Sequence, residues 1–135
     1  VVYYSDYEGG TLEEGFNGAE AALLVDSDIK LFASTLLGAA LGINNYLESQ
    51  NVDFNDYAIF STSSDDQTEG LLKAAGEGKG AFRGTVMAGT SVPDPMMDAL
   101  IGAFEGTVKP GDIVYADLWC WTQEGLEVNW GKTDV

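Results

Sequence analysis

The chain alternates between short apolar runs and longer stretches in which apolar residues return every three or four positions. The short runs are rich in β-branched and aromatic residues, which is typical of buried strands. The longer stretches have the period of an amphipathic helix. The five short runs are Val1–Tyr4, Ile29–Ala33, Tyr57–Phe60, Phe82–Met87 and Ile113–Leu118.

Four predicted helices lie between these strands, and each has one apolar face. The first helix begins at Thr11, where Glu14 completes a capping box three residues later. The apolar positions of the four helices are Leu12, Phe16, Ala19 and Leu23, then Leu36, Ala40, Ile43 and Leu47, then Leu71, Leu72 and Ala75, then Met97, Leu100, Ile101 and Phe104.

Regular alternation of strands and helices predicts the α/β class, with a doubly wound parallel sheet of about five strands. We expect a Rossmann-like three-layer sandwich with strand order 2-1-3-4-5. The strand near Val1 would then be interior, and the strand near Ile113 would lie at or near an edge. At 135 residues the chain suits a single domain, residues 1–135.

Polar loops follow four of the predicted strands. Because parallel strands point the same way, the loops at their carboxyl ends meet at one edge, where α/β proteins bind ligands. These loops offer hydroxyls, carboxylates and one aromatic ring but no cation, which favours a neutral or cationic polar solute, a neutral sugar first. The predicted ligand-binding residues are Asp6, Tyr7, Ser34, Thr35, Ser63, Ser64, Asp65 and Thr90.

Charge and residue usage argue against several classes of function. The net charge is −16, which disfavours nucleic acid and anionic membrane surfaces as partners. The chain has no histidine, which excludes a Ser-His-Asp site and a His-ligated metal.

Two short segments resemble ligand-binding motifs but have simpler interpretations. The segment Gly76–Gly80 lacks the residue spacing of a phosphate-binding loop, and a turn after a helix explains its glycines. Asp65 and Asp66 could bind a divalent cation, but a helix N-cap explains them more simply. We therefore expect no enzyme, no cofactor and no metal.

The end of the last predicted strand carries two indoles around a single cysteine. Alternation along a strand places Trp119 and Trp121 on one face, either as core packing or as a stacking platform for a ligand. Cys120 then faces the other way, and we interpret it as a small buried apolar residue.

Several short motifs follow one another in the order found in a known family. They are Asp28-Ile29, Leu41-Gly42, Thr68–Leu71, Gly78–Val86 and Lys109-Pro110. With this ordered set the chain resembles, from about Val1 to Trp130, the C-terminal lobe of type I periplasmic binding proteins, the solute receptors of sugar ABC transporters.

The resemblance implies one lobe of a two-lobed receptor, which holds a small polar solute against an N-terminal lobe and signals to a membrane permease. It implies an extracytoplasmic location, in the periplasm or as a lipoprotein at the cell surface. Because the chain begins on Val1 without methionine, we expect a domain cut from a longer protein. Ser34-Thr35 stands where the family usually has Asn-Asp. Ser63 stands at the usual sugar-binding aspartate, unless Asp65 has taken over that role.

Two rival functions remain. The same fold could form the effector-binding core of a sugar-responsive transcription regulator, although the −16 charge leans against it. An enzyme on a doubly wound sheet is the other rival, and the chain offers no identifiable nucleophile–base pair for it.

Overall fold

The computed structural model describes residues 3–4, 10–88, 93–115 and 118–123. Within these ranges the chain alternates helices and strands, which confirms the α/β class. The elements are α1 (Leu12–Val25), β1 (Leu31–Ser34), α2 (Leu37–Ser49), a 3₁₀ turn (Phe54–Asp56), β2 (Ala58–Ser61), α3 (Thr68–Gly76), β3 (Phe82–Ala88), α4 (Pro93–Glu105) and β4 (Leu118–Thr122).

The described strands form one sheet in the order β1-β2-β3-β4. The predicted order is wrong because β1 pairs directly with β2, from Leu31 opposite Ala58 to Ser34 opposite Ser61, and leaves no room for a strand between them. The predicted strand Val1–Tyr4 lies partly outside the described residues.

The last strand also differs from the prediction, because it spans Leu118–Thr122 instead of Ile113–Leu118. Cys120 in this strand is exposed, so its interpretation as a buried residue is wrong. Strands β1, β2 and β3 are parallel, but β4 is antiparallel to β3 and begins at Leu118, beside Ala88. A parallel β4 would need a helix that packs across the sheet and carries the chain back to the amino end of β3. Helix α4 buries only Gly102, so the chain enters β4 from the carboxyl end of β3 instead.

The hydrophobic core lies on one face of the sheet. Phe32, Ile59 and Phe82 are paired across β1, β2 and β3, and each is at most 8% exposed. Helices α2 and α3 cover this face with Leu47 and Leu72, which are fully buried.

Helices α1 and α2 cross at close range because both carry glycine at the crossing. A Cβ atom on Gly15 would lie 2.1 Å from the carbonyl oxygen of Ala39, and one on Gly42 would lie 2.0 Å from that of Leu12. The predicted capping box at the start of α1 is confirmed: Thr11 Oγ1 accepts from the amide of Glu14, and the Glu14 carboxylate accepts from the amide of Thr11.

Helix α4 forms as predicted, but its apolar side chains are exposed. Met97, Leu100, Ile101 and Phe104 are 53%, 51%, 47% and 86% exposed. The helix does not cover the sheet.

Among the described helices, none is both long and apolar enough to cross a membrane.

The α1–α2 crossing gives a stability prediction. We expect Gly42→Ala to lower the free energy of unfolding by about 1–3 kcal/mol, because the added methyl forces the two backbones apart. Gly70 in α3 is the matched control, since a Cβ there meets nothing within 4 Å. Gly70→Ala should raise stability by up to about 1 kcal/mol through helix propensity. Urea denaturation measures both, and a Gly42→Ala protein as stable as the parent would show that the helices do not cross this closely.

Candidate functional site

The carboxyl ends of β1 and β2 meet at one edge of the sheet, as predicted. Ser34 ends β1 and Ser61 ends β2, and the two residues are paired in register. Thr85 of β3 is paired with Ser61 on the other side. The segments 35–36 and 62–67 continue from these strands, so the hydroxyl-rich part of the sequence is gathered at this edge.

A buried pair of hydroxyls fixes the loop after β2. Ser61 Oγ and Thr85 Oγ1 lie 2.9 Å apart, and each residue is 3% exposed. Ser61 Oγ also lies 2.9 Å from the carbonyl oxygen of Ser63, and Thr85 Oγ1 lies 2.8 Å from the same oxygen. The two hydroxyl protons are therefore shared among buried acceptors, which satisfies these groups and holds the backbone of Ser63 against the sheet.

The side chain of Ser63 connects this loop to helix α2. Its Oγ accepts a hydrogen bond from the amide of Leu37 at 2.8 Å, at the first turn of α2. The N-cap residue of that helix, Leu36, has no side-chain capping bond of its own. Ser63 thus satisfies an amide that the helix leaves unpaired, and the hydroxyl proton of Ser63 remains available for another acceptor.

Ser34 and Thr35 also have backbone roles. Ser34 Oγ accepts from the amide of Leu36 at 3.2 Å and also contacts the Leu36 carbonyl. The Thr35 carbonyl accepts from Thr62 Oγ1 at 2.9 Å, which ties the loop after β1 to the loop after β2. The side chains of Thr35 and Thr62 are exposed at this edge.

Asp65 presents a carboxylate at the outer side of the loop. One of its oxygens, Oδ1, accepts from the amide of Gln67 at 2.8 Å, and the side chain is exposed. Helix α3 begins at Thr68 with Gln67 as its N-cap, without a side-chain capping bond. The interpretation of Asp65 and Asp66 as the helix N-cap is therefore wrong, because the helix starts later and Asp65 forms a local turn before it.

Three described cationic groups lie at the opposite end of the sheet, while Lys73 pairs with Glu69 on α3 and Lys109 follows α4. Lys30 precedes β1, Arg83 is the second residue of β3, and Lys79 pairs with Glu77 in the turn before β3. The hydrogen bond from Lys30 Nζ to Tyr57 Oη, at 3.0 Å, raises the pKa of Lys30. The candidate edge therefore presents hydroxyls and carboxylates without a cation in residues 34–36 or 61–67.

The structure brings together five of the eight predicted ligand-binding residues. Ser34, Thr35, Ser63, Ser64 and Asp65 lie on the two neighbouring loops, and Ser64 is half-buried there. The other three predictions, which lie outside the described residues, are Asp6, Tyr7 and Thr90.

Sequence reasoning missed two residues that shape this edge. Thr62 is exposed and bridges the two loops, and the sequence does not distinguish it from its polar neighbours. Thr85 lies inside the predicted strand Phe82–Met87, where the sequence indicates no role for its hydroxyl. A threonine in a largely apolar strand, beside the strand that leads into a serine-rich loop, is the signal that could have identified it. In the parts of the chain that the structure describes, no cluster of three or more metal-ligating side chains occurs.

The buried hydroxyl pair gives a second stability prediction. We expect Thr85→Val to lower the free energy of unfolding by about 1–3 kcal/mol, because the substitution keeps the shape but removes a buried hydroxyl and its hydrogen bonds to Ser61 and to the Ser63 carbonyl. Thr35→Val is the matched control on an exposed side chain and should change stability by less than about 0.5 kcal/mol. Chemical denaturation of the two variants tests this, and equal stabilities would contradict a structural role for the pair.

Comparison of the sequence with known proteins gives no match, either to a family model or to a curated protein. Solved structures do match the fold. A glucose-galactose binding protein from Geobacillus stearothermophilus superimposes with a TM-score of 0.68 at 15% identity, over 86% of this chain and 39% of that one. A sugar-binding protein of a sugar ABC transporter from Bacillus halodurans gives 0.66 at 13% identity, over 88% and 43%.

A third match is a 5-methylthioribose transporter solute-binding protein from Thermotoga lettingae, solved with 5-methylthioribose. Its TM-score is 0.64 at 14% identity, over 92% of this chain and 38% of that one. The predicted resemblance is thus confirmed for the fold. This chain has the fold of one part of these solute-binding proteins, and it spans less than half the length of each of the three.

Proposed function

We propose that this chain is one lobe, the C-terminal one, of a two-lobed receptor that captures a small, neutral, sugar-like solute for an ABC transporter. The observation that carries the proposal is the hydroxyl-rich edge formed by the loops after β1 and β2. It lies at the carboxyl ends of parallel strands, where α/β proteins bind ligands. The similarity of the fold to three solute-binding proteins supports it.

The electrostatics of the edge favour a neutral solute. A sugar phosphate or a carboxylate would need a counter-charge, which is usually Arg or Lys. The two described loops have none, and neither do residues 5–8 and 89–91 in the sequence of the other two predicted loops. Hydroxyls and carboxylates instead form the paired donor and acceptor sites that recognise the hydroxyl groups of a polyol.

The internal hydrogen bonds of the loop favour binding by a preformed site. The backbone of Ser63 is fixed by Ser61 and Thr85, and the side chain of Ser63 by the first turn of α2. A loop held in this way loses little conformational entropy when a solute binds. The exposed groups of Thr35, Thr62 and Asp65 would then contact the solute without rearrangement.

In this proposal the receptor is extracytoplasmic, works with an N-terminal lobe and a membrane permease, and has no catalytic role. Closure of two lobes around the solute would generate the surface that the permease recognises. The fold comparisons give no support to the transcription-regulator alternative.

The ligand-binding test uses the longer, two-lobed protein. Calorimetric titration against a panel of neutral sugars and the matching sugar phosphates should show saturable binding of a neutral sugar. Asp65→Asn should weaken that binding by about 1.5–3 kcal/mol, because it removes a charged acceptor and keeps an oxygen for the Gln67 amide. Asp66→Asn, at the adjacent exposed residue, should leave the affinity unchanged.

Two results would overturn the proposal. Tight binding of an anionic solute, with neutral sugars inactive, would show that the electrostatic argument is wrong. Equal affinities of the Asp65→Asn and Asp66→Asn proteins for a bound sugar would show that Asp65 does not contact it.

A further inference from the structure

Leu36 is the one large apolar side chain in segments 34–36 and 61–67, the two loops of the candidate edge that the structure describes. The other residues of these segments are serine, threonine, aspartate and glutamine. Leu36 is 45% exposed, at the point where the loop after β1 enters α2. A half-exposed leucine is common on protein surfaces and needs no explanation by itself. Three features of its surroundings set Leu36 apart from such a residue.

The first feature is its position in the helix. Leu36 is the N-cap of α2 and has no side-chain capping bond. Serine, threonine, aspartate and asparagine are preferred at an N-cap, because a side-chain oxygen accepts from an amide of the first turn, and α1 follows this rule with Thr11. Helix α3 also lacks a capping bond, but its N-cap, Gln67, is polar. Leu36 therefore gives up a cap and exposes an apolar side chain, and local choices that oppose stability in this way concentrate at functional sites.

The second feature is a backbone that is held on both sides of Leu36. The Thr35 carbonyl accepts from Thr62 Oγ1 at 2.9 Å, and the Leu37 amide donates to Ser63 Oγ at 2.8 Å. The residues before and after Leu36 are thus both tied to the loop after β2. Leu36 cannot withdraw from the edge without breaking these bonds, so its side chain is presented at a fixed place among the hydroxyls.

The third feature is the packing of the side chain. A Cβ atom on Gly10 would lie 2.5 Å from Leu36 Cδ1 and 2.9 Å from Leu36 Cβ, so the leucine lies directly against the backbone of Gly10. Gly10 has a φ of +58°, which glycine adopts without strain. One flank of Leu36 is therefore packed, and the remainder is open to solvent.

We propose that Leu36 forms an apolar subsite, and that the solute is a sugar-like polyol with a methyl or short alkyl group on, or in place of, one hydroxyl. This inference rests on the proposed function and narrows its class of solute. Burial of the alkyl group against Leu36 would add affinity in proportion to the apolar area removed from water. A hydroxyl placed there would lose water without gaining a partner. Asp65 and the exposed hydroxyls of the edge would bind the rest of the polyol.

The first test compares each neutral sugar of the panel with its monodeoxy and mono-O-methyl derivatives, by calorimetric titration of the longer, two-lobed protein. We expect a derivative at one position of the sugar to bind about four- to tenfold more tightly than the parent sugar. Derivatives at the other positions should bind no more tightly than the parent, because they remove hydroxyls that the polar groups of the edge recognise.

The second test is Leu36→Ser, which removes the apolar group and supplies a capping oxygen. This variant should bind the derivative and the parent sugar about equally, with an affinity for the parent sugar within about twofold of the original. In urea denaturation of the chain the same variant should have a higher midpoint, because α2 gains a cap. General damage to the fold would not produce lost selectivity together with gained stability.

Leu24→Ser is the matched control for this variant. Leu24 is 81% exposed in the last turns of α1, away from the candidate edge. The control protein should keep the tighter binding of the derivative.

The possible failures are distinguishable. Parent sugars that bind as tightly as all of their derivatives, or a Leu36→Ser protein that still prefers the derivative, would overturn the subsite and leave the proposed function standing. A Leu36→Ser protein with a lower urea midpoint and equally weakened binding of every sugar would show that Leu36 supports the fold, which also overturns the subsite. If neither a sugar nor a derivative binds, the proposed function is rejected, and this inference with it.

Discussion

The position of helix α2 is the constraint on which the rest of the structure depends. Glycines at the crossing let α1 lie directly against it, and its apolar face covers β1 and β2. Asn44 of α2 accepts from the amide of Ala81 at 2.9 Å and so fixes the chain just before β3. The first turn of the helix is held by Ser63. Moving α2 would therefore disturb the core, the start of β3 and the polar edge together.

The polar edge combines residues that stabilise the fold with residues that are exposed to solvent. Its buried hydroxyls satisfy one another and fix the backbone, so the outer groups are presented in one arrangement. The two tasks are divided by depth. Ser61 and Thr85 are buried and structural, whereas Thr35, Thr62 and Asp65 are exposed and free of the core. In the proposed receptor, such a division would keep the geometry of the site independent of the solute, which favours selective binding.

The two faces of the sheet differ in burial within the described part of the chain. Phe32, Ile59 and Phe82 are buried under α2 and α3, while Phe60 and Val86 on the other face are exposed. A parallel sheet is normally a middle layer, so exposed apolar side chains are unusual on a sheet whose first three strands are parallel.

The sequence by itself determined the local features of this protein. The apolar periodicity located the four described helices and the strand around Ile59, and the spacing of Thr11 and Glu14 located the capping box. These features depend on residues only a few positions apart. It also located the polar loops that form the candidate edge, because small polar residues after an apolar strand favour a turn. It did not show that Ser61, the first of these residues, is buried.

Only the tertiary structure decided which elements meet. The pairing of β1 with β2, the reversal of β4, the contact from Ser63 to Leu37 and the exposure of Cys120 all depend on residues far apart in the chain. An apolar periodicity shows that a face is suited to burial, but it does not name the partner that buries it. The apolar side chains of helix α4, and Phe60 and Val86 on the sheet, are exposed because burial needs a second surface in contact.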